Sequence, residues 1–153
     1  MTGRREGAFL RVRDIMPFTY RIDRPSGAVI SRGAGVVTDR EVLDLMRATV
    51  ADPDRCSPYR ELCDLRAASE VRLDEESIER IVDYLSSRKR LMRFARIACV
   101  TSREGIFGIG QMFEARATRV PVEFMVFRDI EQAAVWLGIE IPMASEGSGA
   151  PGT

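Results

Sequence analysis

Hydrophobic positions along the chain repeat at intervals of two in some stretches and of three or four in others. Tyr20 and Ile22 alternate with Arg21 and Asp23, RPSG makes a turn, and AVISRGAGVV follows. Two alternating runs about a short glycine-bearing turn predict a hairpin. From Thr38 the spacing changes. Thr38 with Glu41 three residues on forms a capping box, and Val42, Leu45, Met46 and Thr49 recur at helical spacing. The DPD at 52–54 ends that helix.

YRELCDL at 59–65 predicts a third strand, and Asp74 caps a second helix with Ile78, Ile81, Val82 and Leu85 on one face. ARIACV at 95–100 and VEFMVF at 122–127 are nearly unbroken apolar runs, the pattern of strands covered on both sides. A helix over about 103–118 lies between them. DIEQAAVWLG closes the set as a fourth helix, capped by Asp129 and stopped by Gly138. The order is β-β-α-β-α-β-α-β-α. Strands alternating with helices demand crossovers. The expected fold is therefore α/β, a mixed, mainly parallel five-stranded sheet with an N-terminal hairpin and about four helices. One domain over 17–139 is expected, with a loose charged arm at 1–16 and a disordered Gly/Ser/Pro-rich tail at 140–153.

RIACVTSREGIFGIGQMFEARA places glycines at 105, 108 and 110 after a strand, where several folds hold a phosphate. The spacing is GxxGxG, the reverse of the dinucleotide fingerprint, and no GK[ST] occurs anywhere. With Ser102 read as the cap, Gly108 and Gly110 fall inside the helix. Interior glycines cost about 1 kcal/mol each relative to alanine. The expected compensation is close backbone approach, with both glycines squeezed against neighbouring apolar atoms. Ile106, Ile109, Gly110, Phe113 and Ala117 make one face. Phe107, Gly108, Met112 and Ala115 make the opposite one, an interface or the wall of an apolar pocket.

Composition narrows the chemistry. The 153 residues hold 23 basic and 23 acidic side chains, so no net positive footprint favours nucleic acid. There is no histidine, which removes the commonest proton shuttle and metal ligand and every Ser-His or Cys-His nucleophile within this chain. No catalytic residue, metal site or cofactor is expected. Cys56, Cys63 and Cys99 lack CxxC spacing and read as small buried residues. No apolar window is long enough to span a bilayer and the N-terminus lacks a signal-peptide core, so the expected location is cytoplasmic.

The opening hairpin with GAGVVTDREVLDLMRA, then YRELCDLRAAS, RIACVTSREGIFGIGQMFEA and VFRDIEQAAVWLG together resemble the small bacterial STAS/SpoIIAA-like proteins. These are relatives of the anti-sigma-factor antagonists, and their fold is related to the CRAL-TRIO lipid-transfer fold. The resemblance covers Tyr20 to Gly138. It implies a regulatory or protein-interaction module without catalysis, expected as a homodimer or bound to a regulatory partner. Carriage of an apolar small molecule or lipid is the alternative, and an enzyme of unknown type a third. Phosphorylation switches in the wider family carry a serine in a DSSG-like turn opening the second helix. Here that turn reads RLDEESIERI, with acids at 74–76 and Ser77 set into the helix.

Open α/β sheets gather ligands at the carboxyl ends of their strands. Asp64, Arg66, Thr101, Ser102 and Arg128 with Asp129 fall there, either as caps and ion pairs or as holders of a small polar ligand. The run SSRKRLMRFAR carries Arg88, Lys89, Arg90, Arg93 and Arg96, read as cations complementing a helix C-terminus and a solvated loop. An anionic lipid surface or nucleic acid is the other reading of that run. Trp136 is expected in the core or against a partner.

Overall fold

The alternation read from the pattern is present in the computed structural model, which describes residues 13–15 and 17–141. The strands are β1 (Arg13–Ile15), β2 (Phe18–Ile22), β3 (Val29–Thr38), β4 (Arg60–Arg72), β5 (Ala95–Val100) and β6 (Val122–Phe127). The helices are α1 (Asp39–Ala51), α2 (Glu75–Ser87), α3 (Glu104–Arg116) and α4 (Ile130–Leu137), with a 3-10 turn at Ala117–Arg119. The five expected strands and four helices are all there. The short β1, inside the stretch read as a loose arm, adds a sixth strand by pairing antiparallel with β2. The rest of that arm, and the expected tail from 142 on, lie outside the described residues.

The sheet runs in sequence order, β1 to β6. The β2–β3 pair is antiparallel, and β3–β4, β4–β5 and β5–β6 are parallel. Right-handed crossovers between strands that always step the same way put their helices on one face. Accordingly α1, α2 and α3 cover a core holding Phe18, Leu45, Val37, Ile78, Ile81, Leu85, Ile97 and Phe113. α4, which follows the last strand, covers the other face over Leu62, Ala98 and Val100 through Ala133 and Leu137. β5 is therefore buried from both sides, as its unbroken run requires, whereas the edge strand β6 is not: Val122 and Val126 are buried while Glu123 and Met125 are exposed on its other side.

The caps behave as local chemistry dictates. The Glu41 carboxylate accepts the Thr38 amide at 2.7 Å and its hydroxyl at 2.8 Å. Asp74 accepts the Ser77 N–H at 2.8 Å, and Asp129 that of Glu131 at 2.8 Å. Gly138 takes the left-handed conformation, φ 74°, that ends a helix without a Cβ penalty. One cap is different. Ser102 is exposed and outside α3, whose N-cap position is Arg103, and it is Thr101 Oγ1 that accepts the Arg103 N–H at 3.1 Å.

Charge pairs tie the helices together across the surface. Arg116 reaches Glu75 at 2.8 Å and Glu79 at 3.1 Å, and Arg119 reaches Glu79 at 2.8 Å and Asp83 at 3.3 Å. Exposed pairs of this kind contribute little singly and gain by sharing carboxylates in a network. At the free edge of the sheet, Val126 N–H donates to Glu114 Oε2 at 2.8 Å, which removes one of the unpaired donors that an edge strand presents.

Candidate functional site

Asp64, Arg66, Thr101, Ser102 and Arg128 fall at the carboxyl ends of the strands, expected either as caps and ion pairs or as holders of a small polar ligand. A crevice forms there when the strand order reverses. This order never reverses among the described strands, and the residues turn to separate partners. The Arg66 guanidinium grips Asp64 with Nε on Oδ1 and Nη2 on Oδ2, both at 2.9 Å, and the Arg66 amide adds a third bond at 3.0 Å. Burial alone would raise the Asp64 carboxyl. Those three Arg66 donors outweigh it, with Arg32 adding to them, and hold the group below the usual carboxylate range. Thr101 is fully buried, and Ser102 faces solvent. Arg128 forks onto Glu104 and lies with its guanidinium carbon 3.9 Å from the centre of the Phe107 ring. Asp129 is spent on its helix cap.

The glycine-bearing helix α3 divides as its two faces predict, with one correction. At Gly110 a Cβ would stand 2.9 Å from both Cβ and Cγ2 of Val126, closer than real side chains come. Close approach is the reason for that glycine. Gly108 is not squeezed, because a Cβ there would meet nothing within 4 Å. It looks outward with Met112, 37% exposed, and Ala115, also exposed, while Phe107 is half-buried under Arg128.

Inward, α3 roofs an apolar cavity of about 80 Å³. Ile106, Ile109 and Phe113 come from α3, Leu45 and Met46 from α1, and Cys63, Leu65, Ile97, Cys99 and Phe124 from the sheet. Phe113 and Phe124 stack at 4.6 Å between ring centres, tilted by 44°, an arrangement worth about 0.5–1.5 kcal/mol beyond burial. Cys63 and Cys99 are register partners on β4 and β5. The neighbouring Cys99 thiol, together with burial, pushes the Cys63 thiol well above its ordinary value.

One end of this cavity is walled by Glu61, which is 2% exposed. The pattern reading missed it. Ser31 Oγ donates to Glu61 Oε2 at 2.6 Å, and Tyr59 Oη lies 2.5 Å from Oε1 and 2.8 Å from Thr49 Oγ1. A phenol has one proton. With Tyr59 donating to Glu61, the single proton of the Thr49 hydroxyl is left to serve either Tyr59 Oη at 2.8 Å or Met46 O at 3.3 Å. Burial raises the Glu61 carboxyl, while the Ser31 and Tyr59 hydroxyls work against that rise. Burial also drives Tyr59 well above its ordinary value, with the Glu61 charge adding to it. The sequence signal was the alternation Tyr59, Glu61, Cys63, Leu65, which puts the carboxyl on the core side.

Ser77 is buried in the first turn of α2. Its amide is held by Asp74, and Arg80 Nη2 lies 3.4 Å from its hydroxyl. Among the described residues no helix is long and apolar enough to cross a membrane, and no cluster of three or more His, Cys, Asp or Glu could hold a metal ion.

No protein-family model and no curated protein matches the chain. Among solved structures it is similar to an uncharacterised protein of the DUF3478 family with a SpoIIAA-like fold from Shewanella loihica PV-4. The identity is 15%, the match covers 78% of this chain and 93% of that one, and the TM-score is 0.49.

Proposed function

We propose that the chain is a non-catalytic, STAS-like interaction module that docks a protein partner, in the simplest case a second copy, on the outer face of α3. The observation that carries this reading is Gly108. A helix-interior glycine sacrifices about 1 kcal/mol, and among the described residues nothing uses the space it leaves. Exposed Met112 and Ala115 and half-buried Phe107 continue the same face, which lets another backbone approach closely. Against catalysis stand the lack of histidine and the engagement of Asp64 with Arg66. Light scattering on the purified chain tests the second-copy form. The expected mass is twice 17.2 kDa, falling to the single value in Met112→Asp. A strict monomer at micromolar concentration discards self-association.

A second reading, carriage of a small apolar molecule, is favoured by the cavity beneath α3. A cavity of about 150 Å³ takes benzene, so one of about 80 Å³ suits a smaller apolar group. A native mass spectrum showing one tightly held small molecule supports it, and a bare chain counts against it.

A further inference from the structure

The segment 88–94 joins α2 to β5, and its side chains divide sharply. Met92 is buried to 1% exposure, and the Met92 N–H donates to Arg88 O while the Ala95 N–H donates to Met92 O, each at 3.0 Å. This stitching pins the segment at its centre. Leu91 and Phe94 point the other way, 47% and 72% exposed. Around them Arg88, Lys89, Arg90 and Arg93 are all exposed.

These four cations differ from Arg72, Arg80, Arg96, Arg116 and Arg128, each of which lies against a carboxylate. Among the described residues, none of Arg88, Lys89, Arg90 or Arg93 has an ion pair. Arg88 lies 5.4 Å from the Tyr84 ring centre and Arg93 5.3 Å from that of Phe94. The expected complement to the α2 terminus accounts for Arg88, which occupies the C-cap position. Arg96 leaves the group altogether, bonding Glu123 and the Trp136 carbonyl. Lys89, Arg90 and Arg93 are left over.

Phe94 has a second peculiarity. It is the non-glycine residue with positive φ, 63°, among the described residues. A Cβ in that region is strained, and such strain persists where the surroundings or a function demand it. Here the side chain gains little internal burial in return.

We propose that this loop is a peripheral membrane-binding element that seats Phe94 and Leu91 in the headgroup boundary of an anionic bilayer. The unpaired cations meet the lipid charge. Apolar side chains plus a polybasic cluster supply the two signals that reversible anchoring needs. Two protruding side chains on one loop favour this occupant over a folded acidic protein, whose standard interface engages about 20–30 residues a side. They favour it over nucleic acid because phosphate binding has no use for a solvent-facing Phe–Leu pair. The reading is independent of what α3 docks.

The test is vesicle co-sedimentation of the full chain. Phosphatidylcholine vesicles containing phosphatidylserine are expected to pull the protein down, more weakly as salt rises, while phosphatidylcholine alone does not. Arg90→Gln and Arg93→Gln should each weaken partition about fivefold, and Phe94→Gly at least about tenfold. Phe94→Gly also relieves the left-handed strain, so its melting temperature should hold or rise, which separates lost binding from lost folding. Absence of sedimentation with anionic vesicles at low salt overturns the proposal. So does binding that Phe94→Gly leaves unchanged, or a duplex oligonucleotide that binds the chain more tightly than the vesicles do.

Discussion

Gly110 of α3 and Val126 of β6 are packed so closely that one added carbon on the glycine would stand 2.9 Å from the valine Cβ. Two positions earlier on the same helix, Gly108 has open space. The pair makes an internal control. Gly108→Ala should stabilise the isolated chain by about 0.5–1 kcal/mol through helix propensity. Gly110→Ala should destabilise it by about 1–2 kcal/mol net, because overpacking exceeds the propensity gain. Val126→Ala in the Gly110→Ala background should recover part of the loss. Urea unfolding of the four chains checks this.

Glu61 predicts a pH dependence. Its folded pKa is raised above the unfolded value near 4.5. The stability it contributes is then fully present below about pH 4.5 and is lost as pH rises through the folded pKa. Asp39, Asp64, Glu70 and Glu104 are shifted down and have the opposite slope, so the raw curve mixes the two. The informative quantity is the difference between the native chain and Glu61→Gln, which should move in favour of the glutamine variant between pH 4 and pH 7.5. Glu61→Ala should lose about 2–5 kcal/mol by stranding the Ser31 and Tyr59 hydroxyls and opening space.

Cys63 should resist alkylation. Its thiol is buried and held well above its ordinary value by Cys99 and by burial, and the thiolate is the nucleophile. Iodoacetamide at pH 8 should modify half-buried Cys99 faster than Cys63, and Cys63 only on unfolding. Peptide mass spectrometry after timed quenching reads the order.

Phe113 contributes both the Phe124 stack and the roof of the cavity. Phe113→Ala should lose about 3–5 kcal/mol. If the enlarged cavity stays dry, benzene should raise the variant's melting temperature more than that of the native chain.

The hydrophobic pattern by itself determined the element order, the capping of α1, α2 and α4, and the two-sided burial of β5, but not the exposed side of the edge strand β6. Each of these depends on neighbours within a few residues or on a period set by backbone geometry. The inward face of α3 was legible for the same reason. The sequence did not show that Gly110 is tight while Gly108 is open, since that depends on where Val126 sits across the sheet. Nor could it place Glu61, Ser31, Tyr59 and Thr49 in one network, because three segments far apart in the chain supply them. A crevice at the strand ends needs a reversal of strand order. The running order β3 to β6 lacks one, and strand order is set by long-range packing that no local window contains. Likewise only the folded chain left Phe94 and Leu91 standing outward among unpaired cations, because burying Met92 decided which way the loop turns.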